Sequence, residues 1–338
     1  MVMITTKIGL IGKGNVGSSF LKLVQDKKEI LKTKFDLHLK IVFICEYDGA
    51  LVANEGLNIS QIIEKEKNFR QLNHWNNGLD ARTLISQEIV DIIIDTTPTN
   101  PDTGEPALTH IIEALNHGIH VVSSNKGPFY LKYNYLKKLA KEKTCLMRYE
   151  ATVASCVPIL SIKDNLIGNE ITGIKAILNG TSNYILSRMT SEGIHFDIAL
   201  KEAQELGYAE ADPTLDIEGF DAAGKLVILA NELMGWSKKI DDVNIKGITE
   251  ITPQAIELAK ADGYIIKHLA IVEKGKLTVE PRLIEGYSPL NISGTLNVIE
   301  LQTKHAGPIV LSGRGAGGFE AASAILNDLL EIIKNCNL

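Results

Sequence analysis

Lys7-Ile-Gly-Leu-Ile-Gly-Lys-Gly-Asn-Val-Gly17 is the stretch whose reading decides the fold. Its first five residues form a short apolar run of the kind that makes a buried strand. Gly12-Lys-Gly-Asn-Val-Gly17 then fits GxGxxG, and a helical pattern follows from about Val16 to Ile30. A strand before the glycines and a helix after them turn a weak pattern into a useful one. Gly12 makes the tight turn, Gly14 lets backbone approach a pyrophosphate, and Gly17 permits close packing of helix on strand. The helix start at Asn15 and Val16 then faces the phosphates of a dinucleotide.

Outward from this turn the same alternation continues. Leu39–Cys45 is expected as a second strand and Ile59–Lys67 as a helix. Ile89–Asp95 is a third apolar strand, running into the loop Thr96–Asn100. Pro106–His117 is a helix that Gly118 stops. Ile119–Ser123 is a fourth strand, followed by Asn125-Lys-Gly-Pro128 and a helix to about Lys143. Strands alternating with helices imply a parallel sheet covered on both faces, an α/β fold of Rossmann type. Ligands of such sheets sit at the C-terminal ends of the strands, so Thr96, Thr97, Asn125 and Lys126 together are candidates to line the nicotinamide end. Glu46 ends the second strand, where a carboxylate bonds a ribose 2′-hydroxyl and repels a 2′-phosphate. That favours NAD over NADP; a solvated loop residue is the equal alternative for Glu46. Lys40 and the lysines at 27, 28, 32 and 34 are expected to soften the repulsion, which leaves dual use open.

After Tyr149 the pattern changes. Ile171–Leu178 is a strand ending in Asn179-Gly-Thr. Helices are expected at about Ser182–Ser191, Phe196–Leu206 and Gly219–Met234. Ile265–Glu273 and Lys276–Glu280 alternate as a hairpin around Lys274-Gly275. This is a second, α+β domain. The tail carries Gly313-Arg-Gly-Ala-Gly-Gly318 and a helix, Glu320–Lys334.

A length of 338 residues suits two domains of roughly 100–200 residues each, and 45% hydrophobic with 22% charged residues is an ordinary globular composition. The net charge of -6 gives no electrostatic reason to bind nucleic acid or an anionic membrane. No apolar run approaches the ~20 residues of a membrane span, and the N-terminus does not have the pattern of a signal peptide. Cys45, Cys145, Cys156 and Cys336 form no CxxC pair, which points to reduced thiols and a cytoplasmic protein.

Gly207–Lys225, GYAEADPTLDIEGFDAAGK, sets five carboxylates (Glu210, Asp212, Asp216, Glu218, Asp221) against one lysine, Lys225. Leu226–Ala230 follows, too apolar for a surface. Asp221 and Lys225 stand at i, i+4 and share a helix face. Charges on a buried helix need partners and often mark a site; a solvated helix start with an ordinary ion pair is the plainer alternative. Glu150-Ala-Thr-Val-Ala-Ser-Cys-Val-Pro158 is the other unusual stretch. Backbone carbonyls beside one carboxylate suit a hard alkali cation. From the residues alone, a tight crossover without any ion is the better account.

Taken together these segments resemble the homoserine dehydrogenases. The resemblance runs nearly end to end through GKGNVG, DTTPTN, SSNKGPF, YEATVASCVP, ILNGTSNYIL, EAQELGYAEADPTLDIEGFDAAGK and the GAGG-helix tail. It implies a short form without the C-terminal ACT regulatory domain. It implies reversible NAD(P)-dependent oxidation of L-homoserine to L-aspartate semialdehyde, in threonine, methionine and isoleucine biosynthesis, by a homodimer. By resemblance Lys225 and Lys126 are the catalytic lysines. Glu210, Asp216 and Asp221 hold the substrate's amino group and order Lys225, and Thr181 contacts the substrate. Glu150 joins the carbonyls of Val153, Ser155 and Val157 around a sodium or potassium ion; Ala154-Ser155-Cys156 departs here from the glycine-richer stretch of many members. Gly315 and Gly317 close over the dinucleotide. The implied division is a dinucleotide domain of residues 1–150 completed by the tail 306–338, and a catalytic and dimerisation domain of residues 151–305.

The chemistry suits these residues. Alcohol oxidation removes a proton and a hydride; the dinucleotide takes the hydride, and the protein supplies a base and charge complementarity for an amino acid. Two rival readings have less behind them. A thiol mechanism through Cys156 lacks an obviously placed histidine. A non-catalytic dinucleotide sensor would need neither Lys225 nor Lys126.

Overall fold

The computed structural model describes residues 3–336 and 338. The chain divides into two compact units, residues 1–152 with 317–338, and residues 153–316.

The first unit is a seven-stranded sheet in the order β4-β3-β2-β1-β5-β6-β7. Its strands are β1 (Ile4–Ile11), β2 (Leu37–Glu46), β3 (Gly49–Val52), β4 (Trp75–Asn77), β5 (Ile92–Asp95), β6 (His120–Ser123) and β7 (Met147–Arg148). Five of them, β2-β1-β5-β6-β7, run parallel, and β3 and β4 add an antiparallel edge. β1 lies between β2 and β5, so the strand order reverses there and a crevice opens at the strand ends. The helices are α1 (Asn15–Phe35), α2 (Ile59–Lys65), α3 (Ala81–Ser86), α4 (Ala107–Asn116), α5 (Gly127–Leu131) and α6 (Tyr133–Glu142). α1 buries Phe20, Leu21, Val24 and Leu31, a helical stripe, and ends at Asp36 in a left-handed conformation.

In the second unit the sheet order is β13-β12-β8-β10-β11-β9. Its strands are β8 (Ile171–Ile177), β9 (Val243–Ile245), β10 (Tyr264–Glu273), β11 (Lys276–Glu285), β12 (Leu296–Thr303) and β13 (Gly307–Arg314). Pairing is antiparallel except between β11 and β9. The helices are α7 (Ile162–Asn165), α8 (Gly180–Glu192), α9 (Phe196–Glu205), α10 (Thr214–Ile217), α11 (Phe220–Met234) and α12 (Pro253–Ala261). β10 serves two cores. Ile266 packs with Tyr184, Ile185 and Met189 of α8, whereas Leu269 joins Ile177, Ile284 and Val298; this is the two-faced habit of a strand.

The chain then returns to the first unit as α13 (Gly318–Cys336), whose Ile325, Leu326, Leu329, Ile332 and Ile333 share a core with α1. Each such side chain contributes about 1.5–3 kcal/mol by leaving water. The tail expected from residue 306 is thus different in its first part. Gly307–Arg314 pairs with β12 as an edge strand of the second sheet, and only residues from 317 onward belong with the first unit. The short strands β3 and β4, the hairpin β12–β13 and helices α3 and α12 were not anticipated. Among the described residues no helix is long and apolar enough to cross a membrane.

Candidate active site

In the first unit the site begins at the glycine turn. Gly12 has φ +90, which a side chain resists, and a Cβ there would press on the Thr96 backbone. A Cβ on Gly17 would collide with the Gly12 carbonyl. Gly14 is the opposite case: a Cβ there would meet nothing within 4 Å. Gly14 is also the N-cap of α1, with no side chain bonded to the helix start. The turn therefore presents uncapped N–H groups at a 21-residue helix beneath open space, and a pyrophosphate fits both the space and the donors.

Neighbouring groups fix this loop. Thr96 Oγ1 donates to the Gly12 carbonyl at 2.7 Å. Glu46, at the end of β2, accepts the Lys13 N–H, and its other oxygen lies 3.4 Å from Arg70. Arg70 also pairs with Asp48 at 2.8 Å, and its guanidinium lies over the rings of Phe69 and Trp75. The lysines expected to moderate Glu46 do not face it. Lys40 pairs with Glu55. Lysines 27, 28, 32 and 34 lie on the C-terminal half of α1, roughly 15–30 Å along the axis from its start at ~1.5 Å per residue. Arg70 and Lys13 are the basic groups beside Glu46. Burial holds the Lys13 ammonium below the usual lysine range, with Glu46 opposing that shift.

Thr97 and Asn125 are committed to the loop itself. Thr97 donates to Asp95, and the Asn125 amide donates to the carbonyls of Thr97 and Pro98. Lys126 follows Asn125 as the N-cap of α5. Glu150 is buried in a 3-10 turn, Glu150–Thr152, and donates its N–H to the buried Asp328 carboxyl at 2.8 Å. Burial, and then the nearby Glu150 charge, push the Asp328 carboxyl well above the usual carboxylate range. Gly317, with φ +134, begins the returning segment next to Glu320.

The second unit holds the lysine. α11 buries Ala222 through Leu233 without a break, Lys225 included. Lys225 Nζ lies 2.7 Å from Asp221 Oδ2 and donates to the Leu178 carbonyl at 2.7 Å. Asn179 Nδ2 donates to Asp221 at 3.0 Å and to Asp216 at 2.6 Å. Its Oδ1 accepts the Ser182 N–H and so caps α8. One asparagine therefore ties the end of β8 to α10 and α11. In the sequence Asn179 stands out only as the start of the Asn-Gly-Thr loop; the signal for its role is the N-cap position before a helical run. Thr181 Oγ1 donates to the Tyr208 carbonyl at 2.8 Å.

The five carboxylates do not form one cluster. Asp216 and Asp221 meet through Asn179. Glu210 is exposed, and Asp212 caps the turn at Thr214, which holds its carboxyl below the usual range. Glu218 lies 3.4 Å from the Thr249 hydroxyl. Val153 and Val157 are buried, Ser155 is buried at φ +52 with its hydroxyl bonded to none of the described residues, and the Val157 carbonyl accepts the Ile159 N–H. A Cβ on Gly315 would collide with the Asn297 side-chain amide. Cys156 is exposed, bonded only weakly to the Arg314 carbonyl at 3.5 Å. Among the described residues no three His, Cys, Asp or Glu side chains form a metal cluster.

A parallel sheet with a phosphate-ready glycine turn, and a second unit with a buried lysine among carboxylates, define the class of dinucleotide-dependent dehydrogenases. The homoserine dehydrogenase family model matches residues 158–330, and that of the homoserine dehydrogenase NAD binding domain matches residues 12–150. The homoserine dehydrogenase of Methanocaldococcus jannaschii is 46% identical over 327 residues, covering 96% of this chain and 97% of its own length. An NAD(+)-dependent homoserine dehydrogenase of Pseudomonas canavaninivorans is 36% identical, covering 96% of each chain. A hyperthermophilic archaeal homoserine dehydrogenase, solved in complex with NADPH, superposes with a TM-score of 0.85 at 28% identity, covering 98% of each chain. The chain belongs to the homoserine dehydrogenase family, NAD(P)-dependent oxidoreductases of amino-acid biosynthesis.

Proposed function

We propose that Lys225 carries the proton in the oxidation of L-homoserine to L-aspartate semialdehyde and in its reverse. The observation that carries this is the buried Lys225 held at 2.7 Å by Asp221, which the buried Asn179 in turn holds at 3.0 Å. Asp221 and the Leu178 carbonyl are both acceptors and fix the position of the Lys225 ammonium, the group that donates to a forming alkoxide. In the oxidative direction the same amine receives the hydroxyl proton. The dinucleotide, when bound, accepts or gives the hydride at nicotinamide C4. Asp216, with Glu210, suits the substrate α-ammonium, and Thr181 orders the loop beside it. Lys126 is the second catalytic lysine.

Gly12, Gly14, Asn15, Val16 and Gly17 receive the pyrophosphate, and Thr96, Thr97 and Asn125 shape the nicotinamide end through the hydrogen bonds they make. Gly315 and Gly317 complete the dinucleotide site. Glu46 favours NAD through the ribose hydroxyls, while Arg70 and Lys13 beside it offset the repulsion of a 2′-phosphate, so both dinucleotides are used. An alkali ion, sodium or potassium, on Glu150 and the carbonyls of Val153, Ser155 and Val157 belongs to the same proposal.

The active form is a homodimer in the cytoplasm. Leu269, Ile271, Leu283 and Leu290 line an open concavity on the second sheet together with charged residues, Lys276 and Glu285 among them. Apolar side chains interspersed with charges of both signs suit a second copy of the same surface. The test of activity is homoserine-dependent reduction of NAD and of NADP by purified protein. No reduction with either cofactor from neutral to strongly alkaline pH would remove the proposal.

A further inference from the structure

The first unit buries a carboxylate and a histidine that the chemistry above does not use. Asp95, the last residue of β5, is fully buried. Its Oδ2 accepts from His110 Nδ1 of α4 at 2.8 Å, and His110 is itself buried. Its Oδ1 accepts the Thr97 N–H at 3.1 Å and the Thr97 hydroxyl at 2.6 Å. A buried carboxylate costs free energy unless its lone pairs are filled. Three bonds satisfy both of its oxygens: the two from Thr97 hold the loop after β5, and the one from His110 ties the carboxylate to α4.

From Thr97 the bonding continues. Asn125, also buried, donates its amide to the Thr97 hydroxyl at 3.2 Å and to the carbonyls of Thr97 and Pro98 at 3.0 Å. Its Oδ1 accepts the Gly127 N–H at 3.1 Å, and its own N–H donates to Ser123 at 3.0 Å. The backbone is thus held on both sides of Lys126. In the other direction the adjacent Thr96 N–H donates to the Ile11 carbonyl at 2.8 Å, and its hydroxyl to Gly12. One carboxylate therefore sits at the junction of the phosphate turn, the β5 loop and the segment that presents Lys126.

We infer that the buried Asp95–His110 pair is a positioning device for hydride transfer: His110 orients the Asp95 carboxylate, which fixes the Thr96–Pro98 loop against Gly12 and, through Asn125, the backbone of Lys126. His110 touches neither reactant and acts through Asp95. His110 holds Asp95 through Nδ1, so loss of the ring leaves Asp95 Oδ2 without that donor in a site closed to water. The carboxylate is then free to rotate away from Thr97, and the loop loses its two anchors together. This rests on the reading of Lys126 as a catalytic lysine and of the Gly12 turn as the phosphate site.

The test compares His110→Ala, His110→Gln and Thr97→Val in the full-length protein. Dinucleotide affinity is read by quenching of intrinsic fluorescence without substrate, and kcat and KM are read in the homoserine assay. In His110→Ala the dinucleotide dissociation constant is expected to rise and kcat to fall, each by about ten- to a hundredfold, the range a lost hydrogen bond to a charged group carries. The homoserine KM should move less than threefold, since Asp216, Asp221 and Thr181 are untouched. His110→Gln, which keeps a donor, should recover most of both losses. Thr97→Val keeps the side-chain volume and removes the hydroxyl; it should reproduce the pattern, and it carries the test if His110→Ala does not fold. If His110→Ala or Thr97→Val lowers the melting temperature and leaves affinity and kcat within twofold, the pair is only structural and the inference is overturned. Lys126→Ala separates this from the underlying reading. If that variant keeps full kcat, Lys126 is not catalytic, while weakened dinucleotide binding in His110→Ala still upholds positioning at the turn.

Discussion

Lys267 offers a physical prediction with a calculable size. It lies in β10, 2% exposed, and its ammonium reaches Asn183 Oδ1 at 3.0 Å, Ser187 Oγ at 3.4 Å and the Ile292 carbonyl. All three are neutral acceptors, and burial lowers its pKa from 10.5 to about 8. In the unfolded chain it titrates near the ordinary value. Below about pH 8 both states are protonated, and the charged form carries its full desolvation cost. Between about 8 and 10.5 the unfolded chain binds the proton and the folded one does not, so stability rises with pH there. At 1.36 kcal/mol per pK unit the whole swing is on the order of 3 kcal/mol. Cys45 and Tyr184 oppose it: burial chiefly raises each to about 12, so each contributes a loss of stability at alkaline pH. They are present equally in a Lys267→Met variant, so the difference between the two proteins isolates Lys267. The assay is urea unfolding of both at about pH 7.5 and 10.5, followed by a probe in the second unit, with m-values compared. Wild type should gain about 3 kcal/mol on the variant across that interval. A difference that stays constant within about 0.5 kcal/mol would show that the three acceptors offset burial and that the argument is wrong.

Lys225→Ala should lower kcat by ~10²–10⁴, the range of a general acid–base group, while leaving dinucleotide affinity nearly unchanged; turnover within threefold of wild type would reduce Lys225 to a structural ion pair. Cys156→Ser should keep activity, and its abolition in a folded variant would revive the thiol mechanism. Glu46→Ala should raise the kcat/KM ratio of NADP to NAD, and Arg70→Ala should lower it; the ribose assignment fails if neither ratio moves, or if wild type prefers NADP tenfold or more. Leu283→Glu, placing a charge on the open face of the second sheet, should give a monomer by light scattering, and an unchanged dimer would place the interface elsewhere.

The elements readable in the sequence were those whose signals are local. The run before Gly12 and the turn to Gly17 announce a strand, a turn and a helix within eleven residues, and the structure places them so. α11 was readable because an apolar run on every side leaves no solvent face. What escaped depends on meetings between distant segments. Arg70 comes from the 3-10 turn Glu66–Gln71, yet its partners are Glu46 and Asp48 in the β2–β3 region. β3 and β4 have four and three residues, too few for a period to show. Lys267 had a faint signal, a single cation within the apolar run of β10. Of the five carboxylates, the spacing that placed Asp221 on one face with Lys225 was informative because a helix enforces it. Asp212 and Glu218 lie on turns, where spacing does not determine direction.

α13 also sets an order of events during synthesis. The second unit is one uninterrupted stretch, residues 153–316, and all of its strands are available before the final helix is made. The first unit begins the chain but waits for its last helix. Until Ile325, Leu326 and Leu329 emerge, the stripe of Phe20, Leu21 and Val24 on α1 lacks the helix that covers it in the folded core. Domains generally mature from the N-terminus as they leave the ribosome; a first unit whose core includes residues of α13 cannot complete that core until they have emerged.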